Sequence, residues 1–236
     1  METKSNSEHQ KYLKDGLLII KNFLSIKSVQ KFREILDHYF LNFKSFHHGE
    51  RGRILCGFAG KTPELEELNN LHINEKIIKI LNSYIFNGNE FIFAEHSDLH
   101  QNRTTGWHRD NLDFLSKERG NGCEKDLWSE KFHVIKVCFL LQDHTSNQCG
   151  MSFKLGTHKD EDTVAPPFYA NTQSTDMIIF DQRILHAGQE FKKPYFDQFG
   201  KNRYLVTYAY GLDNELTRTH ITGANIRQKE QQLYYK

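Results

Sequence analysis

The stretch FIFAEHSDL, residues 91–99, is where this chain changes character. It is a short run of aromatic and apolar residues, and four more runs follow it: FHVIKVCFLL (132–141), MSFKL (151–155), DMIIF (176–180) and RYLVTYAYG (203–211). Polar or glycine-bearing turns such as SNQCG (146–150) and KLGTH (154–158) separate them, so each reads as a strand. Upstream of about residue 89 the pattern is helical. Helices first and strands afterwards predict a mainly β fold with α additions, a barrel or sandwich buttressed by N-terminal helices.

Working back toward the N-terminus, SIKSVQKFREILDHYFLNF (25–43) carries Val29, Phe32, Ile35, Leu36, Tyr39 and Phe40 at helical spacing, with Ser25 or Ser28 as N-cap. A second helical region covers about 63–84, where Ile73, Ile77, Ile80, Leu81 and Tyr84 recur on one face. Pro63 suits its start, and Asn69 and Asn70 are placed to break it. Residues 9–22 read as a short polar helix leading into a strand at Leu17–Ile20, and 44–62 read as loop. No repeat, low-complexity tract or linker interrupts the 236 residues, so we expect one domain: a helical part over about 1–88, a β core over 89–215 and a tail over 216–236.

The charge balance is 31 basic against 30 acidic residues, so no global field attracts nucleic acid or an anionic membrane. The polar start METKSNSEHQKYLKDG lacks the apolar core of a secretory signal, and no apolar run is long enough to span a bilayer. Cys56, Cys123, Cys138 and Cys149 form no CxxC pair, which argues against a disulfide framework. The expectation is a cytoplasmic protein handling a small molecule.

Chemistry enters through a spacing. His-x-Asp occurs at His96/Asp98, His108/Asp110 and His158/Asp160. Residues two apart on a strand share a face, so each pair can converge on an ion. The first sits in a strand with no turn before it, and the third lies in HKDED, which reads as a solvated loop. His108/Asp110 follows a flexible TTG, carries Trp107 as an aromatic anchor and leads into a polar segment. RILHAG supplies a third ligand, His186, just after DMIIF. Two histidines and one carboxylate suit an iron centre that leaves positions open, whereas a structural zinc would want four ligands. Arg203 opens the next strand and suits bidentate pairing with a carboxylate; Lys192, Lys193 and Lys201 are the alternative cations. Trp107, Arg109 and Asn111 flank the pair and are the candidate substrate contacts.

These motifs, in this order, resemble the phytanoyl-CoA dioxygenase-like family of Fe(II)/2-oxoglutarate-dependent oxygenases over nearly the whole chain. DGLLIIKNFLS (15–25) is similar to the family's opening strand, GWHRD (106–110) to its metal-binding segment, FLLQDHTSNQCGMSFKLGTHK (139–159) to its central strand and turns, DMIIFDQRILHAG (176–188) to the strand of the last iron ligand, and RYLVTYAYG to its closing strand. The central turn departs from the family, reading LGTH where Pro-Gly-Ser-His is usual. The resemblance implies a double-stranded β-helix (a cupin-like jelly roll) with helices packed outside. It implies Fe(II) on His108, Asp110 and His186, 2-oxoglutarate as cosubstrate with its distal carboxylate on Arg203, a hydrogen bond from Thr105, and O2 as oxidant. The implied reaction is hydroxylation of a C–H bond with release of succinate and carbon dioxide. Related halogenases carry a small residue in place of the acid, so Asp110 favours oxygen insertion. A non-catalytic cupin-like binding protein and a zinc-dependent hydrolase are the alternatives.

Overall fold

Alternation along the strands divides this molecule into layers. In β6 (Val134–Leu140) every residue is buried, and successive side chains go to opposite faces. Ile135, Val137 and Phe139 join a core of helical side chains, while Cys138 and Leu140 join a second core between two sheets. In β11 (Tyr204–Leu212) Tyr204, Val206, Tyr208 and Tyr210 face the helices, and Leu205 packs at the inner core. Each such buried Val or Phe contributes about 1.5–3 kcal/mol.

The computed structural model describes residues 2–47, 52–110, 127–144, 150–188 and 202–235. Its larger sheet has seven strands in the order β1-β9-β6-β11-β4-β3-β2. These are β1 (Leu17–Ile20), β2 (Phe46–His47), β3 (Arg53–Cys56), β4 (Phe91–Gln101), β6, β9 (Met177–Asp181) and β11. The smaller sheet runs β5-β10-β7-β8, from β5 (Thr105–His108), β7 (Met151–Lys154), β8 (Pro167–Tyr169) and β10 (Leu185–Gly188). All pairings are antiparallel, as expected of two sheets facing each other in a jelly roll.

The N-terminal helices cover the outer face of the larger sheet. Ser25 caps α2 (Ile26–Asn42) by accepting from the Ser28 backbone N–H at 3.0 Å, and Val29, Phe32, Leu36, Tyr39 and Phe40 bury its apolar stripe. The region 63–84 is more broken than its periodicity predicts. It forms a 3-10 turn, α3 (Glu66–Asn69), a second 3-10 turn, α4 (Glu75–Ile80) and a π turn. Asn74 restarts the helix by capping the Lys76 and Ile77 amides, which leaves Ile73 64% exposed and off the expected core face. The loop expected over 44–62 contains β2 and β3, which extend the sheet. The tail expected at 216–236 is mostly an 18-residue helix, α5 (Glu215–Gln232). The N-terminal helix is also longer than expected: α1 spans Glu2–Asp15. Among the described residues no helix is long and apolar enough to cross a membrane.

Candidate metal centre and its cavity

The smaller sheet brings two histidines face to face. β10 pairs with β5 so that His186 lies opposite His108, and their rings are 4.4 Å apart. Each ring is oriented by its own backbone. His108 Nδ1 lies 2.8 Å from the Gly106 carbonyl oxygen, and His186 Nδ1 lies 3.0 Å from that of Ile184. A carbonyl can only accept, so both Nδ1 atoms carry the proton and both Nε2 lone pairs are left to point at a third group.

That third group is Asp110. Its backbone N–H donates to the Gln182 carbonyl at 3.1 Å, which fixes the residue just beyond β5. Its Oδ1 is 3.5 Å from His108 Nε2, and its Oδ2 is 3.6 Å from His186 Nε2. One ligand atom from each of the three lies within 4.8 Å of the others. Asp110 Oδ2 is buried yet accepts no hydrogen bond of good geometry. The Lys136 ammonium stands 2.8 Å from it as an ion pair. A buried oxygen with an unfilled lone pair, opposite two neutral imidazole nitrogens, fits a divalent cation.

The charges of His186 and Asp110 agree with this, and that of His108 shows the pull of the carboxylate in the absence of an ion. Burial pushes His186 down to about 4, so it is neutral, the form that binds metals. Burial alone would raise the carboxyl of Asp110, but Lys136 and the two imidazoles outweigh it and hold it well below the ordinary carboxylate range. Burial would lower His108, but its hydrogen bond to Asp110 and that group's charge raise it above the usual histidine value.

The cavity around the three side chains also takes in Arg203 and Thr105. Arg203 precedes β11 and is almost wholly buried. Its Nη1 donates to the Arg103 carbonyl at 2.7 Å, and Asn102 Oδ1 accepts from its backbone N–H at 2.7 Å. Thr105 Oγ1 accepts from the Gly188 amide at 2.9 Å, leaving its hydroxyl proton available.

The flanking residues separate. Arg109 turns away from the cavity: its Nη2 meets the carbonyls of Thr157, Asp160 and Glu161 at 3.2–3.4 Å, and its guanidinium lies over the Trp128 ring. It braces the 157–161 turn, because neighbouring strand residues point to opposite faces and Asp110 takes the inner one. Trp107 is 43% exposed under the Lys154 ammonium and does not line the cavity. Asn111, Lys192, Lys193 and Lys201 lie outside the described residues, as do Cys123 and Cys149. Cys56 and Cys138 are free and buried.

Among the described residues the other two histidine–acid pairs form no metal cluster. His96 and Asp98 are buried against each other at 3.1 Å, with Arg227 of α5 donating to Asp98 at 2.6 Å. His158 is buried rather than solvated, because the Leu13 carbonyl and Gly16 pack on its ring, while Lys159 and Asp160 beside it are exposed.

Sequence reasoning missed His100, Arg103, Lys136, Thr207 and Arg227, which line the same cavity, and it did not bring Asp98 there. Lys136 did leave a signal. A lone lysine inside VIKVCFLL, a strand covered on both faces, cannot reach water and requires a buried partner.

No protein-family model and no curated protein sequence matches the chain. Solved structures do. The non-haem α-ketoglutarate-dependent epimerase SnoN of nogalamycin biosynthesis is 12% identical over 88% of this chain and 82% of its own, with a TM-score of 0.65. The carbocyclase SnoK of the same biosynthesis is 17% identical over 87% and 83%, with a TM-score of 0.63. HygX from Streptomyces hygroscopicus, solved with nickel, 2-oxoglutarate and hygromycin B, is 13% identical over 88% and 87%, with a TM-score of 0.66. Identities this low carry the fold and nothing finer: the chain has a β-rich jelly-roll core like that of these enzymes.

Proposed function

We propose that this chain is an Fe(II)/2-oxoglutarate-dependent oxygenase that hydroxylates a C–H bond of a small molecule. The observation that carries the reading is the convergence of His108, Asp110 and His186 at the wall of a cavity that also holds the buried Arg203. SnoN, SnoK and HygX share the fold, and structures of SnoN and HygX contain a metal ion with 2-oxoglutarate. A zinc hydrolase or a metal-binding protein without turnover has no need of an acidic cosubstrate, which a buried guanidinium in the same cavity suits.

Iron and 2-oxoglutarate bound together supply oxidation of an unactivated C–H bond, with succinate and carbon dioxide as by-products. The chain's own contribution is positional. His108 and His186 present Nε2 because backbone carbonyls hold their other nitrogens, and Asp110 supplies the anionic ligand. Three protein ligands leave coordination positions open for the cosubstrate and oxygen. Arg203 takes the distal carboxylate of 2-oxoglutarate, and Thr105 donates its hydroxyl proton to the same molecule.

The test is anaerobic addition of Fe(II) and 2-oxoglutarate to the apoprotein. A weak metal-to-ligand charge-transfer band in the visible is expected, and it should vanish in Asp110→Ala. Absence of the band, with zinc bound tightly instead, refutes the proposal.

A further inference from the structure

The cavity contains more positive charge than the proposed reaction uses. Among the described residues, Arg103, Lys136, Arg203 and Arg227 line it against two carboxylates, Asp98 and Asp110. Asp98 is committed to Arg227 at 2.6 Å. Asp110 is committed to Lys136 at 2.8 Å, but the same carboxylate is the ligand proposed for a divalent ion. An ammonium and a dication cannot both neutralise themselves on one carboxylate in a buried site, so a loaded metal leaves Lys136 short of an anion. Arg103 is short of one already: it is half-buried, and no carboxylate among the described residues reaches salt-bridge distance of its guanidinium.

Arg103 and Lys136 are therefore two cations of this cavity that no carboxylate among the described residues neutralises once the metal is in place, and a partly buried charge is costly without a counter-ion. We infer that the substrate carries an anionic group, a carboxylate or a phosphoryl, and that Arg103 and Lys136 receive it. This rests on the functional reading above and adds the chemical class of the substrate. The two side chains divide the task by their chemistry. The planar fork of Arg103 gives a bidentate grip, and the Lys136 ammonium is a compact point charge on a flexible stem that can turn from Asp110 to the ligand. Anchoring the anion beside Asp110 would hold a neighbouring C–H bond of the substrate next to the metal, which is the positioning such chemistry needs.

The experiment uses the full chain loaded with Ni(II), which does not turn over, and with 2-oxoglutarate. Methylphosphonate, propionate and the neutral propionamide are titrated in turn by calorimetry. We expect one or both anions to bind at millimolar concentration and the amide not to bind. Preference for the phosphonate or for propionate tells a phosphoryl substrate from a carboxylate one. Arg103→Leu and Lys136→Met should each weaken the anion at least tenfold, while Arg103→Lys recovers part of the loss. The 2-oxoglutarate titration should move less than threefold in the same variants.

Anions that bind no better than the amide, or equally well in both variants, overturn the inference. So does an Arg103→Leu protein that loses 2-oxoglutarate as fully as Arg203→Leu, since Arg103 then serves the cosubstrate. If the wild-type protein binds no 2-oxoglutarate at all, the functional reading fails. The anion titration on the nickel-loaded protein, with and without Arg103, then still decides the anion site.

Discussion

Replacing Arg227 with Met should unfasten α5 and destabilise the protein in a way that depends on pH. Arg227 Nη2 lies 2.6 Å from Asp98 Oδ1, with the two side chains 15% and 1% exposed. Removing one partner of such a pair strands the other, at a cost of about 3–5 kcal/mol. His96 Nε2 lies 3.1 Å from both Asp98 Oδ2 and Arg227 Nη2, so once Arg227 is gone its Nε2–H tautomer can donate to Asp98, which places the expected loss at the lower end, about 3 kcal/mol. For a urea slope of about 3 kcal/mol per molar, reasonable for a chain of this size, the unfolding midpoint falls by about 1 M at pH 7. Burial pushes the Asp98 carboxyl up and Arg227 is the foremost of the charges that hold it down, so removing Arg227 raises its folded pKa. The variant's deficit is therefore full above its own folded pKa and shrinks as acid protonates the carboxyl. Urea unfolding at pH 7 and pH 5 should show the larger deficit at pH 7. Asp98→Asn combined with Arg227→Met should recover part of the loss, because no charge is then stranded. A midpoint shift below about 0.3 M, or a double variant as unstable as the two single losses added together, would falsify the argument.

Other expectations can be checked with the same preparations. Arg203→Ala should raise the 2-oxoglutarate concentration needed for half-saturation by tenfold or more and leave Fe(II) affinity within about threefold, as removal of a charge-assisted bidentate contact implies; an unchanged titration moves the anchor to another cation. Gly16 has a φ of +71°, and an added Cβ would run into the His158 ring, so Gly16→Ala should cost about 2 kcal/mol or more, read as a lower unfolding midpoint. Wild-type behaviour there would show that the β1 entry is not held by His158. Burial pushes His133 down to about 4. Above its unfolded value of about 6.5 both states are neutral; between there and pH 4 only the unfolded chain gains the proton, so up to about 3 kcal/mol of stability is lost as pH falls through that window. His133→Asn should flatten the stability profile between pH 6.5 and 4, and an unaltered slope would assign the loss to other groups.

The parts of this fold that were legible in the sequence are those in which apolar residues carry the pattern. Val29, Phe32, Leu36, Tyr39 and Phe40 announce α2, and the runs around Val134 and Met177 announce the central strands. The convergence of His108, Asp110 and His186 was legible because a turn, a strand end and a two-residue spacing coincide. Helix α5 was not, since the side chains it buries are small or polar: Thr217, His220, Gly223, Ala224 and Gln228. Its fit depends on close approach and hydrogen bonds, for which hydrophobic periodicity has no signal. The outward turn of Arg109 was predictable from strand alternation, but the carbonyls that capture it lie some fifty residues downstream and leave no local mark.

The pairing that places His186 opposite His108 is short and irregular. β5 and β10 match at that position and again at Gly188 and Thr105, with a register shift between. So brief a ladder is a weak seam, and four other strands separate its two halves along the chain. An ion bridging the two imidazoles would act as a rivet across that seam. The amides of Thr105–His108 should then exchange with solvent freely in the apoprotein and slow sharply when metal is added, while those of β6 stay protected throughout. The metal would thus govern how often the barrel opens along this edge, and metal supply would set the lifetime of the protein against proteases as well as its readiness to react.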